Sequence, residues 1–200
     1  MATILPELSE AQLNGITSKA EAKLYRSLRD NLDQSYTVLF QVGWILKHER
    51  DRARDGECDF VICHPKFGYL CIEVKGGGIS YEAETDTWYS IDRNNTKFTI
   101  TDPVQQALRA KFSIFSKLRE HPSWRTCNLN NVLRGHAVFF PDIGSPTPLS
   151  RPTLPTILIG TKSDLSDPNE WVHQAFYYWN STSNKSDPIG QTGIDFFKKV

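Results

Sequence analysis

Two hundred residues, 39% hydrophobic and 12% aromatic, carry enough apolar material for one domain with a packed core and exclude a disordered chain. The 23 basic and 23 acidic residues cancel, which excludes a global field drawing the chain to nucleic acid and leaves that task to local patches. No stretch approaches the roughly 18 apolar residues of a membrane-spanning helix, and the opening MATILPELSEAQL has no basic segment followed by an apolar run, so the expectation is a cytoplasmic protein.

In chain order, the first predicted element is a helix over SKAEAKLYRSLRDNL, opened by Thr17 or Ser18. Ser18 and Glu21 stand at capping-box spacing, and Ala20, Leu24, Leu28 and Leu32 recur every four residues as a core-facing stripe. YTVLFQVGWIL (36–46) reads as a strand, and KHERDRAR (47–54) as a charged loop. ECDFVICH and YLCIEVKGG, joined by a Pro-Lys-Phe-Gly turn, read as an antiparallel hairpin. ISYEA and TWYSI make a second hairpin, and Asn94-Asn95 turns the chain into KFTI.

Thr101 or Asp102 caps the next helix, with Pro103 near its start and a predicted apolar stripe of Val104, Leu108, Phe112 and Phe115. VLRGHAVFFP (132–141) is a strand, followed by a Pro/Ser-rich loop and a short strand, TILIG. Asp167-Pro168-Asn169-Glu170 opens a helix whose aromatic residues, in WVHQAFYYW, are assigned to the core rather than to a cofactor stack. From Asn180 the chain is polar and turn-rich, so residues 1–179 are expected to form the domain and 180–200 a polar tail or linker.

Three charges interrupt this pattern. Asp59, Glu73 and Lys75 fall inside short apolar strands, where such residues are normally excluded. Strand alternation puts Glu73 and Lys75 on one face, with Leu70, Ile72 and Val74 on the other, and puts Glu57, Asp59, Val61 and Cys63 together on one face of the preceding strand. Aligned in the hairpin, Asp59 and Glu73 converge beside Lys75. Two carboxylates about 4 Å apart repel by on the order of 4 kcal/mol at an effective dielectric of 20, so the cluster needs a proton or a cation. An oxygen-only donor set favours Mg²⁺ or Mn²⁺ over Zn²⁺. The alternative is a structural Asp59–Lys75 salt bridge with Glu73 facing solvent on an edge strand.

Gly56-Glu57-Cys58-Asp59 followed by Ile72-Glu73-Val74-Lys75-Gly76-Gly77 resembles the core signature of the nuclease-related domain, NERD, a branch of the PD-(D/E)xK nuclease superfamily. Two more features match in order: Glu21 within SKAEAKLYRSL, and Asp102-Pro103-Val104-Gln105-Gln106-Ala107, which resembles the family's Pro-x-x-Gln helix start. The resemblance covers roughly residues 15 to 140. It implies an α/β (α+β), restriction-endonuclease-like PD-(D/E)xK fold with a central mixed β-sheet flanked by helices.

For the site, the resemblance implies Asp59 and Glu73 as metal ligands and Lys75 as the residue that orients water. Glu21 would be a helix-borne acid that completes or supports the metal site, and Gln106 would position substrate or lysine, with Gln105 in reserve. Glu57 is either a further ligand or a charged strand start. The implied activity is Mg²⁺- or Mn²⁺-dependent hydrolysis of DNA. Basic residues Arg50, Arg52, Arg54, Arg109 and Lys111 are expected to hold the phosphate backbone without reading sequence. Domains similar to this one, with Leu5-Pro6-Glu7-Leu8 and the Trp88–Asp92 hairpin, commonly precede a superfamily I helicase in bacteria. By analogy that implies a fused or associated helicase partner and a role in DNA repair or in defence against foreign DNA.

Other chemistries are weaker. The four cysteines, Cys58, Cys63, Cys71 and Cys127, form no CxxC pair and read as reduced, mostly buried thiols. A zinc site with His64 fails on spacing, and alternation sends Cys58 and Cys63 to opposite faces. His136, in an apolar run, reads as a satisfied, partly buried histidine. No nucleophile elbow or phosphate-binding Walker pattern occurs.

Overall fold

The computed structural model describes residues 1–46, 54–127, 129–183 and 186–198. A short strand β1 (Thr3–Leu5) and helix α1 (Glu10–Gly15) come first; both are too short to show a period. Ser18 then caps α2 (Lys19–Asn31) by accepting from the Glu21 N–H, and Ala20, Leu24, Leu28 and Leu32 are buried as their spacing predicts.

Strands β2 (Thr37–Leu46), β3 (Arg54–His64) and β4 (Gly68–Val74) form an antiparallel meander. β8 (Arg134–Phe140) joins β4 in parallel and β9 (Ile159–Thr161) joins β8 in parallel, while β1 lies parallel to β2 at the far edge. The result is a six-stranded mixed sheet in the order β1-β2-β3-β4-β8-β9, flanked by helices as a PD-(D/E)xK-like fold requires. β4 is interior and buried along its whole length, so Glu73 does not sit on an edge strand.

The second hairpin and KFTI leave this sheet. β5 (Gly78–Glu82), β6 (Thr87–Ile91) and β7 (Lys97–Ile100) make a separate three-stranded antiparallel sheet. Trp88 anchors it, buried against Tyr81 and Phe140. The Arg151 guanidinium covers the Tyr81 and Trp88 rings at 4.1 and 4.8 Å and reaches Asp102, the N-cap of α3, at 3.7 Å.

Helix α3 (Pro103–Glu120) begins as its sequence predicts, with Asp102 accepting from the Val104 and Gln105 N–H groups and Pro103 in the first turn. Its phase differs from the expected stripe. The buried residues are Pro103, Val104, Ala107, Ala110, Lys111, Ile114 and Leu118, whereas Phe112 is 54% exposed. Small Ala107 and Ala110 let the helix lie close on β4 and β8, a gain in packing that outweighs burying the larger Phe112.

Two cores result, one on each sheet face. The first gathers Leu24 and Leu28 of α2 and Trp171, Val172 and Phe176 of α5 (Pro168–Thr182) against Phe60, Ile62, Leu70 and Ile72. Trp171 packs edge-on to Phe139 at 5.0 Å, so the α5 aromatics are core. The second gathers Ile114 and Leu118 of α3, Trp124 of α4 (Pro122–Thr126), and Ile194, Phe196 and Phe197 of α6 (Gly190–Phe197) against Val61, Cys63, Tyr69 and Cys71.

Helix α6 corrects the expected polar tail. The chain beyond Asn180 returns to the sheet and buries two phenylalanines, Phe197 lying edge-on to Tyr69 at 4.9 Å. Its turn-rich composition marks the connection, and the apolar stripe after it is too short for periodicity to reveal. Phe197→Ala is expected to lower stability by about 3 kcal/mol, as truncation of a buried aromatic does. An unchanged urea midpoint would show that this helix does not contribute to the core.

Candidate active site

The site is built where the alternation of two strands breaks. On β2, Phe40 belongs to the first core while Val42 and Trp44 pack with the second; on β3, Phe60 belongs to the first and Cys58 to the second. Residues two apart on a regular strand share a face, so the chain inverts at the intervening residues, Gln41 and Asp59. Gln41 has φ +52°, the backbone feature that accompanies the inversion. The expectation that Asp59 shares a plain strand face with Glu57, Val61 and Cys63 is therefore corrected. Cys58 also joins Cys63 in the second core instead of opposing it.

The β3–β4 ladder ends at the pair Phe60 and Ile72; one step further stand Asp59 and Glu73. Asp59 Oδ2 accepts from the Val74 N–H at 2.7 Å, which turns its carboxylate across to the end of β4. Glu73 is only 4% exposed, and Lys75 Nζ donates to its Oε1 at 2.6 Å. Lys75 thus pairs with Glu73, not with Asp59 as the salt-bridge alternative required. The Lys75 N–H bonds to Phe139 O at 3.1 Å, fixing the lysine backbone on β8.

Burial and then the neighbouring Glu73 charge push the Asp59 carboxyl up to about 7, against the Val74 N–H, which favours the charged form; Glu21 adds to the rise. Glu73 is also raised, mainly by burial, with Lys75 opposing the rise and Glu21 and Glu57 supporting it. The pair is short of positive charge.

Glu21 lies close enough to act on both carboxylates electrostatically, but its own Oε2 accepts from Gln41 Nε2 at 3.1 Å. Among the described residues, no group of three or more His, Cys, Asp or Glu side chains gathers into a metal cage. Two carboxylates suffice for Mg²⁺, which is usually held by one or two of them together with water and substrate phosphate. The oxygen-only donors Asp59 and Glu73, two acids that share the single Lys75 ammonium with Glu21 nearby, fit Mg²⁺ or Mn²⁺. The cysteines Cys58, Cys63 and Cys71 are buried free thiols, and burial pushes Cys58 and Cys63 up.

The remaining expected residues divide. Gln106 is partly buried on α3 with its Oε1 lacking a hydrogen-bond partner among the described residues, whereas Gln105 is exposed. Glu57 is exposed and pairs with Gly43. Arg109 is exposed on α3. Arg50 and Arg52 lie outside the described residues, and for Arg54 only the backbone is described, paired with Leu46.

Lys111 is corrected. It is buried, its Nζ 3.1 Å from His136 Nδ1 and 4.6 Å from the Trp179 ring centroid, and burial pushes it down to about 8. It is a core residue and not a phosphate contact. His136 is buried and neutral, pushed down to about 3 by burial and by Lys111.

Asp142 escaped the sequence reading. It follows β8, accepts from the Gly77 N–H at 2.9 Å, and forms an ion pair with Lys23 of α2. Burial favours its neutral form, but Lys23 and Gly77 outweigh that and leave it below its usual value. Ser90 Oγ donates to Gly76 O at 3.1 Å. Gly77 has φ +81°, and a Cβ there would stand 2.9 Å from Ile91 O. Gly77 is thus explained by the bend into β5. No sequence motif marks Asp142, because its partners come from two distant segments.

A family model described as NERD, nuclease-related domain, matches residues 16–141. No curated protein and no solved structure matches the chain. No helix among the described residues is long and apolar enough to cross a membrane.

Proposed function

This chain belongs to the nuclease-related domain family, and from that premise we propose that it hydrolyses DNA phosphodiester bonds with a bound Mg²⁺ or Mn²⁺ ion. The observation that carries the reading is the buried carboxylate pair Asp59 and Glu73, with Lys75 held on Glu73 at 2.6 Å. Stability alone does not favour two desolvated acids at the end of an interior strand; a cation and a phosphate arriving there account for them.

Asp59 and Glu73 would hold the ion, which when bound supplies Lewis-acid charge to the phosphate under attack. One oxygen of Asp59 is committed to the Val74 N–H, and we assign the other to the metal. Lys75 turns an N–H toward the attacking water and offsets charge developing on the phosphate. Gln106 Oε1, buried without a partner among the described residues, accepts a hydrogen bond from the substrate or the lysine. Arg109, exposed on the same helix, contacts the phosphate backbone, and with zero net charge the affinity is low and falls with added salt. A fused or associated helicase, and a role in DNA repair or in defence against foreign DNA, belong to the same proposal by resemblance.

The test is incubation of the purified chain with supercoiled plasmid and with linear single-stranded DNA in Mg²⁺, Mn²⁺ or EDTA. Metal-dependent cleavage is expected, and the two substrates report which strand form is used. DNA binding of equal strength in EDTA and Mg²⁺, without cleavage in any condition, would instead identify a silent binding module with the same fold.

A further inference from the structure

Gln41 sits in the middle of β2, opposite Asp59, flanked by the paired residues Phe40 and Phe60 on one side and Val42 and Cys58 on the other. Its φ of +52° is a left-handed conformation that a side chain disfavours and that glycine adopts freely. Such strain persists when surrounding structure imposes it, and it gathers at functional sites. Burial of the Gln41 side chain does not explain it, since the residue is exposed. A glycine would serve the backbone better, so the presence of glutamine requires a use for its amide.

That use is visible. Gln41 Nε2 donates to Glu21 Oε2 at 3.1 Å, and only the amide nitrogen can face a carboxylate, so chemistry sets the orientation. Glu21 stands in the first turn of α2, where its N–H bonds to Ser18 Oγ. In a full capping box its carboxylate would return to the Ser18 N–H; here it is turned to Gln41. One residue at the strand inversion therefore ties the helix-borne acid to the strand position facing Asp59.

Resting on the metal-site reading above, we infer that Gln41 is a positioning residue. It holds the Glu21 carboxylate beside the Asp59–Glu73 pair, so that a third negative charge strengthens divalent-cation binding without becoming part of a three-carboxylate cage. The left-handed backbone at position 41 is retained because it aims this amide.

The experiment is Mn²⁺ titration of the metal-free protein without DNA, followed by electron paramagnetic resonance, for the parent, Gln41→Gly, Glu21→Gln, the double variant and Asp59→Asn. Thermal unfolding is measured on each. Gln41→Gly relieves the backbone strain, so its melting temperature is expected to equal or exceed the parent's, while its Mn²⁺ affinity falls about tenfold as the nearby Glu21 charge is released from the site. Glu21→Gln is expected to lose at least as much, and the double variant no more than Glu21→Gln, because the amide acts through that carboxylate. Parent-like Mn²⁺ affinity in Gln41→Gly, with binding still lost in Asp59→Asn, would overturn the role of Gln41 and leave the metal site standing. Absence of parent Mn²⁺ binding that depends on Asp59 would overturn both. A lowered melting temperature in Gln41→Gly with unchanged affinity would make Gln41 merely structural.

Discussion

Lys75→Ala is expected to lose about 1000-fold in cleavage rate while keeping its affinity for Mn²⁺ within a few-fold of the parent, and Glu73→Ala is expected to lose both. The difference follows from the geometry. Lys75 donates to Glu73 and belongs to a backbone fixed on β8, so its removal leaves both carboxylates in place and takes away the ammonium that we propose acts on water and phosphate. Loss of one such charge-stabilising donor typically costs 10²–10³-fold, and loss of a proton-handling partner on the order of 10²–10⁴-fold. Glu73→Ala removes a carboxylate we assign to the metal and leaves the Lys75 ammonium, with a side chain 26% exposed, without its partner. Cleavage of plasmid DNA and Mn²⁺ titration on the same preparations decide the matter. Parent-like cleavage by Lys75→Ala would remove the lysine from the mechanism, and parent-like metal affinity in Glu73→Ala would remove that residue from the metal site.

Asp59→Asn is expected to be more stable than the parent at pH 8 in EDTA and to have lost cleavage. The Asp59 carboxyl is pushed up to about 7 in the folded chain, against an unfolded value of 3.8. Between these values the native state holds a proton that the unfolded chain has released, so this group's contribution is fully present below pH 4 and is lost as pH rises to 7. The loss amounts to at most about 4 kcal/mol, reduced by whatever water reaches the site. Asparagine keeps an oxygen that can accept from the Val74 N–H and carries no charge to bury.

His136 acts oppositely. Pushed down to about 3 in the folded chain, it adds stability as pH rises toward 6.5, so the parent alone shows two opposing slopes. The difference between parent and Asp59→Asn, measured by urea unfolding from pH 4 to pH 8, cancels the histidine and isolates the carboxylate. Added Mn²⁺ should raise the parent's midpoint and leave that of the variant nearly unchanged, since a ligand stabilises only the state that binds it. A difference that does not grow with pH would mean that Asp59 is not a desolvated acid, and the electrostatic case for a cation there would fall with it.

Local signals were legible wherever neighbours in sequence decide the outcome. Ser18, Asp102 with Pro103, and Asp167 with Pro168 announce three helix starts, because a cap satisfies N–H groups two or three residues away. The β3–β4 hairpin and its charged residues could also be read locally, since a short turn sets the register that brings Asp59 to Glu73. What could not be read depends on distant partners. Phe112 rather than Lys111 faces outward on α3 because Ala107 and Ala110 fit against β4 and β8, and because His136 and Trp179 receive the ammonium. The closing α6 is core only because Tyr69 and Trp124 present a surface for Phe196 and Phe197.

For the site, the sequence by itself pointed to the side chains we propose for its chemistry: Asp59, Glu73 and Lys75, with Glu21 and Gln106 near the start of their helices. Tertiary structure decided how they meet. Strict alternation would have put Cys58 and Phe60 in one core, but a left-handed residue at Gln41 accompanies inversion of both strands and sets its amide on Glu21. Asp142 bridges α2 and the Lys75 strand end from 65 residues away from Gly77. Periodicity describes the average path of a chain, whereas a backbone inversion and a long-range carboxylate bridge are single events stabilised by contacts that no window of neighbouring residues contains.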